Sequence, residues 1–112
     1  MPISEQNLIV IMTTLPDMDQ ASNIAKILIE EGLAFCVQVM PSMTSIYRWK
    51  EEVCLEPEHL VLIKAIASNY EALAIRLKSL HPYEIPEIIA IPAIAVDRDY
   101  LNWAMQSTSL LF

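Results

Sequence analysis

From Ala34 to about Lys50 the chain keeps β character for roughly seventeen residues and breaks it once, at Pro41. Phe35, Val37 and Val39 alternate with Cys36, Gln38 and Met40, and Ile46-Tyr47-Arg48-Trp49 resumes the pattern. A typical strand has only ~5–6 residues. Proline has no N–H to give a ladder, so a strand containing one belongs at a sheet edge or at a bulge. The stretch therefore predicts an edge strand with a bulge near Pro41-Ser42. So long an edge overruns any small sheet and leaves a row of unpaired backbone groups. The expectation is a strand that projects beyond its own sheet and pairs with a neighbouring subunit.

The other elements fall into place around it. Asn7 to Thr14 is a short continuous apolar run rich in β-branched residues, which reads as a buried central strand. Asp17 or Asp19 can cap a helix whose apolar face is Ala21, Ile24, Ala25 and Leu28, with Gly32 as its stop. Glu51-Glu52 is a polar hairpin candidate that lacks the usual glycine. Val53 to Ala67, centred on Leu60-Val61-Leu62-Ile63, is the next strand. Asn69 can cap a second helix with Tyr70, Leu73, Leu77 and Leu80 on one face. Ile88 to Val96 reads as the last strand, again an edge because of Pro92, and Asp97 or Asp99 caps a short final helix. The order predicts one domain over residues 1–112, an α+β, ferredoxin-like βαββαβ sandwich with an antiparallel sheet and an extra C-terminal helix. Right-handed crossovers put the first and third strands at the centre. The edges are then the two strands that carry Pro41 and Pro92.

Charge narrows the partners. Lys+Arg 7 against Asp+Glu 14 gives a formal charge of −7, which argues against nucleic acid and permits cations. No apolar run approaches the ~20 residues of a membrane helix. Cys36 and Cys54 lack metal or redox spacing; with no secretory leader evident, they read as reduced thiols of a cytoplasmic protein. One glycine in the chain excludes glycine-rich phosphate cradles.

His81-Pro82-Tyr83-Glu84-Ile85-Pro86-Glu87 concentrates chemistry in stiff, non-helical backbone between a helix and a strand. His81 is the leading metal-ligand candidate, with Glu84 beside it; the competing reading is a hydrogen-bonded joint. Tyr83, Glu84 and Glu87 either line a pocket between subunits or decorate its rim. Tyr47 and Trp49 share one sheet face and suit a core or an interface. Glu58 and Lys64 flank an apolar strand about 20 Å apart, so they cannot pair with each other. No nucleophile elbow, metal-hydrolase motif or oxyanion site accompanies His81, so no catalytic residue is assigned.

Thr13-Thr14-Leu15-Pro16-Asp17, Ala34-Phe35-Cys36, Thr44-Ser45-Ile46-Tyr47-Arg48-Trp49, Glu58, Lys64, His81 to Glu87 and Asp99-Tyr100-Leu101-Asn102-Trp103 occur in one order along nearly the whole chain. Together they resemble the CutA divalent-cation tolerance family. The resemblance implies a ferredoxin-like protomer, similar in shape to PII-type signalling proteins, in a tight homotrimer without established enzymatic activity. It implies association with copper and other divalent cations, and a ligand cleft containing Tyr47, Trp49, Glu58, Lys64, Tyr83 and Glu87. A small-molecule sensor or a trimeric scaffold is the alternative reading. The chain departs from the family at Ser42, at Glu51-Glu52 and at Thr14. At Thr14 some members carry a cysteine proposed as a copper ligand, and a hydroxyl is a poor substitute for soft copper.

Overall fold

The structure, a computed structural model, describes residues 8–108; Asn7, expected at the start of the first strand, lies outside them. Strands β1 (Leu8–Leu15), β2 (Cys36–Trp49), β3 (Glu52–Ile66) and β4 (Ile89–Pro92) form one sheet in the order β2-β3-β1-β4, every pair antiparallel. Helices α1 (Met18–Glu30), α2 (Tyr70–Leu80) and α3 (Arg98–Thr108) complete the α+β fold. As expected, the strands that carry Pro41 and Pro92 are the edges; Pro57 of β3 lies in the stretch beyond the end of β1.

Alternation divides the sheet into two faces. Ile9, Ile11, Leu15, Val61, Ile63 and Ala65 point to one side, where Ala21, Ile24, Leu28, Leu73 and Leu77 of α1 and α2 bury against them. Each large aliphatic side chain so buried contributes about 1.5–3 kcal/mol. A smaller cluster of Leu8, Phe35, Ile66 and Ala104 attaches α3 to the opposite face. The rest of that face is thinly covered: Ile89 and Ile91, beside Met12 and Val10, are half exposed.

The ladder between β2 and β3 shifts register between Val39 and Ser42, which is the bulge Pro41 demands. His59 secures it, its Nδ1 lying 2.8 Å from the Met40 carbonyl oxygen. Beyond it, β1 has ended, and Met43–Trp49 pairs only with Glu52–Glu58. This two-stranded ribbon is the expected projection. Its turn is Lys50-Glu51, with φ of 49° and 69°, not Glu51-Glu52. Both residues take the left-handed conformation of a type I′ turn, which closes a two-residue hairpin with the correct twist but strains non-glycine residues. The one-residue change in turn position moves cross-strand partners by two, so the faces stay as alternation predicts.

Local signals differ elsewhere. Asp17 caps α1 through its carboxylate, which accepts from the Gln20 N–H at 2.8 Å, and Gly32, at φ 73°, follows the helix end. Asp97 plays the same part for α3 by accepting from the Tyr100 N–H. Asn69 makes no side-chain cap: a 3₁₀ turn over Ala67–Asn69 feeds directly into α2. The last strand has four residues rather than the nine expected. Pro92 offers no N–H, and after the single Ala93 N–H to Leu8 carbonyl bond the chain turns toward α3.

Candidate functional site

Three segments meet at the end of the sheet where the ribbon leaves it: the β1–α1 turn, the foot of the ribbon and the α2–β4 connection. Between them lies a cleft of about 850 Å³. Pro82 keeps His81 out of the helix, so α2 stops with His81 extended (φ −76°, ψ 136°) and its N–H on the Leu77 carbonyl. That geometry sends the imidazole inward to β1. The ring is buried beside fully buried Thr13 and does not line the cleft.

The hydrogen bonds fix the tautomer. The Tyr83 N–H can only donate, so Nδ1 accepts it at 3.1 Å. Nε2 therefore carries the proton and donates to the Thr14 carbonyl at 2.9 Å, with the Thr13 hydroxyl oxygen 3.2 Å away. Burial holds the imidazole below its ordinary pKa, against the opposing pull of the Thr14 carbonyl and the Glu58 charge. His81 is thus the hydrogen-bonded joint of the fold. A metal reaching it must displace the Tyr83 amide from Nδ1.

Above the joint, the Tyr83 ring lies 4.8 Å from the imidazole and its hydroxyl donates to Glu58 Oε2 at 2.5 Å. Burial first, then the Glu58 bond and charge, push the phenol far above its ordinary range, so it remains a donor. Glu58 is only 7% exposed, yet Tyr83 is the one donor to its carboxylate among the described residues, and no basic side chain stands within ion-pair distance there. Three further carboxylates, Glu56, Glu84 and Glu87, line the same cleft, and among the described residues no Lys or Arg does. Tyr47 and Trp49 form an aromatic wall on one ribbon face. Partial desolvation, then Cys54, Glu56 and Glu58, raise the Tyr47 pKa.

The structure thus brings together Tyr47, Trp49, Glu58, Tyr83, Glu84 and Glu87. Lys64 lies outside the cleft: it pairs with Val10 and Cys36, and its Nζ sits 5.7 Å from the centre of the Tyr100 ring. Tyr47 and Trp49 are not protomer core, at 42% and 39% exposure. Cys36 is a free thiol, half-buried at the sheet edge. Sequence reasoning overlooked Glu56 and the Thr14 carbonyl. Glu56 could have been found by alternation, two residues before Glu58 on the same face; a carbonyl acceptor leaves no sequence signal.

The donor set bears on metals. Among the described residues no group of three or more His, Cys, Asp or Glu side chains is arranged to hold a metal ion. Oxygen donors dominate the cleft, which suits hard cations and not copper, and the one imidazole beneath it has both nitrogens engaged. Within one chain these residues do not fit a soft-metal centre.

Residues 9–107 match the family described as CutA1 divalent ion tolerance protein. The chain is 44% identical over 99 residues to the divalent-cation tolerance protein CutA of Thermus thermophilus, covering 88% of this chain and 96% of that one. The crystal structure of the divalent ion tolerance protein CutA1 from Ehrlichia chaffeensis superposes with a TM-score of 0.90 at 27% identity, over 96% of this chain and 100% of that chain. The structure of the periplasmic divalent cation tolerance protein CutA from Archaeoglobus fulgidus gives 0.88 at 26% identity, over 91% and 99%.

Proposed function

The chain belongs to the CutA1 divalent ion tolerance family, and on that footing we propose a non-catalytic homotrimer that responds to divalent cations through the acidic cleft at the foot of its ribbon. The observation that carries this reading is Glu58: a residue only 7% exposed whose carboxylate has a single neutral donor on Oε2, an Oε1 that reaches the open cleft, and no cation beside it among the described residues. A buried charge is costly unless paired, and a bound cation supplies the missing pair.

Exposed apolar surface supports assembly. Ile46, Val53 and Leu55 on the ribbon are 60–66% exposed, and an isolated two-stranded ribbon is marginal in water. These, and separately Ile89 and Ile91 on the opposite face of the sheet, are the kind of exposed apolar surface that marks an interface. Three copies, and a likeness to PII-type assemblies, are what the family resemblance implies. The absence of catalysis is supported by a fully hydrogen-bonded imidazole and a phenol held protonated, neither of which is a ready base or nucleophile.

Copper at His81 and Glu84 requires the imidazole to surrender the Tyr83 amide, so binding there must reorder the connecting segment. The compartment we propose is the cytoplasm, on the strength of two free cysteines, although the Archaeoglobus relative is described as periplasmic. Calorimetry with magnesium, zinc and copper, beside light scattering, tests the reading. It expects saturable cation binding weakened by Glu58→Gln and a mass of three chains. No saturable binding of any cation below millimolar concentration, or a monomer, overturns it.

A further inference from the structure

We propose that the cleft takes an aliphatic di- or polyamine, with ammonium groups separated by methylene segments; this rests on the cation-cleft reading above and names its ligand. Four observations converge. First, Glu56, Glu58, Glu84 and Glu87 all line the cleft, yet among the described residues no three acidic, His or Cys side chains are arranged around one point to hold an ion. Spread carboxylates match a ligand whose positive charges are themselves spread. Second, the volume of about 850 Å³ is that of a small-molecule pocket and far exceeds what a metal ion fills. Third, Tyr47, Trp49 and Tyr83 stand among the carboxylates. Aromatic faces attract ammonium groups and also cover methylenes, and they contribute nothing to a metal that prefers oxygen ligands. Fourth, Glu58 is 93% buried by its 7% exposure, lines the cleft and keeps Oε1 without a donor among the described residues, while Tyr83 occupies Oε2. An N–H donor carrying positive charge completes that carboxylate with a short, charge-assisted hydrogen bond.

The arrangement also says how the ligand lies. Glu58 is the deep anchor at the foot of the ribbon, midway along β3, and Glu84, exposed in the α2–β4 connection, is the outer one. The apolar side chains of Pro57, Pro82 and Ile85 lie with them along the same cleft and suit the chain between ammonium groups. Among the described residues no Lys or Arg lines the cleft; the nearest cation on its aromatic wall is the Lys50 ammonium at the ribbon tip, 5.8 Å from the centre of the Trp49 ring.

The test is calorimetry of the intact protein with putrescine and spermidine, against magnesium and zinc, at neutral pH and about 0.15 M salt, where loose surface attraction is largely screened. Spermidine is expected to saturate near one per chain and to bind more tightly than putrescine. Glu58→Gln is expected to weaken it about tenfold or more, the loss of a charge-assisted bond. Glu84→Gln, on an exposed residue, weakens it about threefold and keeps the test sound if the buried variant does not fold. Glu71→Gln removes the same charge from the exposed start of α2, outside the cleft, and should leave affinity unchanged. Amine binding weakened equally by Glu71→Gln is mere charge attraction and overturns the inference. Metal binding that depends on Glu58, without amine binding, overturns the inference and leaves the cation-cleft reading intact. No binding of either class overturns both.

Discussion

Tyr83→Phe removes one oxygen and little volume, so it isolates the hydrogen bond that joins the connecting segment to the ribbon. The hydroxyl donates to Glu58 Oε2 at 2.5 Å, and that carboxylate has no second donor among the described residues. Hydrogen bonds to charged groups contribute about 1.5–3 kcal/mol. Tyr83 is only half-buried, which puts the expected loss near the low end, about 1.5–2 kcal/mol. The assay is urea unfolding at one fixed protein concentration, because assembly makes apparent stability depend on concentration. In a Glu58→Gln background the acceptor is a neutral carbonyl, and the same substitution should cost only about 0.5–1.5 kcal/mol. Adding a cation should shrink the loss, since the ligand supplies the partner the phenylalanine cannot. A cost of less than about 0.5 kcal/mol, or an equal cost in both backgrounds, refutes the view that Glu58 is an under-partnered buried charge.

Three further outcomes follow. Glu51→Gly relieves the left-handed conformation at the ribbon tip and should stabilise the hairpin by about 0.5–1 kcal/mol, read as slower amide exchange at Trp49 and Glu52; faster exchange contradicts the turn. Burial holds the His81 pKa below its unfolded value of about 6.5, so its contribution to stability is complete above that pH and is lost as pH falls toward the folded value. The unfolding free energy from urea melts should drop with a slope of at most about 1.4 kcal/mol per pH unit, and His81→Gln should flatten it; an unchanged slope assigns the acid sensitivity elsewhere. Trp49→Ala should raise the concentration at which subunits dissociate by about tenfold or more while leaving protomer folding nearly intact. Sedimentation over a dilution series checks this, and unfolding without loss of assembly contradicts it.

The sheet was legible because proline chemistry and alternation are local rules. Pro41 and Pro92 marked the edge strands and the bulge, and β2-β3-β1-β4 followed from the element order. The lower-level misses have local causes as well. Asn69 was displaced as a cap by a 3₁₀ turn, and β4 ended where Pro92 withheld its N–H. The site was half legible. The segment His81 to Glu87 and the aromatic pair Tyr47 and Trp49 announced themselves by composition. The role of His81 did not, because its partners are Thr13 and Thr14, 68 and 67 residues away, and one of them is a backbone carbonyl. The distinctive property of Glu58, burial with one donor, arises only when the α2–β4 connection folds over the ribbon and brings Tyr83 across 25 residues.

The most direct measurement is a crystal structure of the protein grown with spermidine. An ammonium nitrogen within hydrogen-bond reach of Glu58 Oε1, its methylenes against Tyr47 and Trp49, is the expected result. A cleft that holds only solvent, or one filled by a basic side chain from a neighbouring subunit in contact with Glu58, contradicts the account.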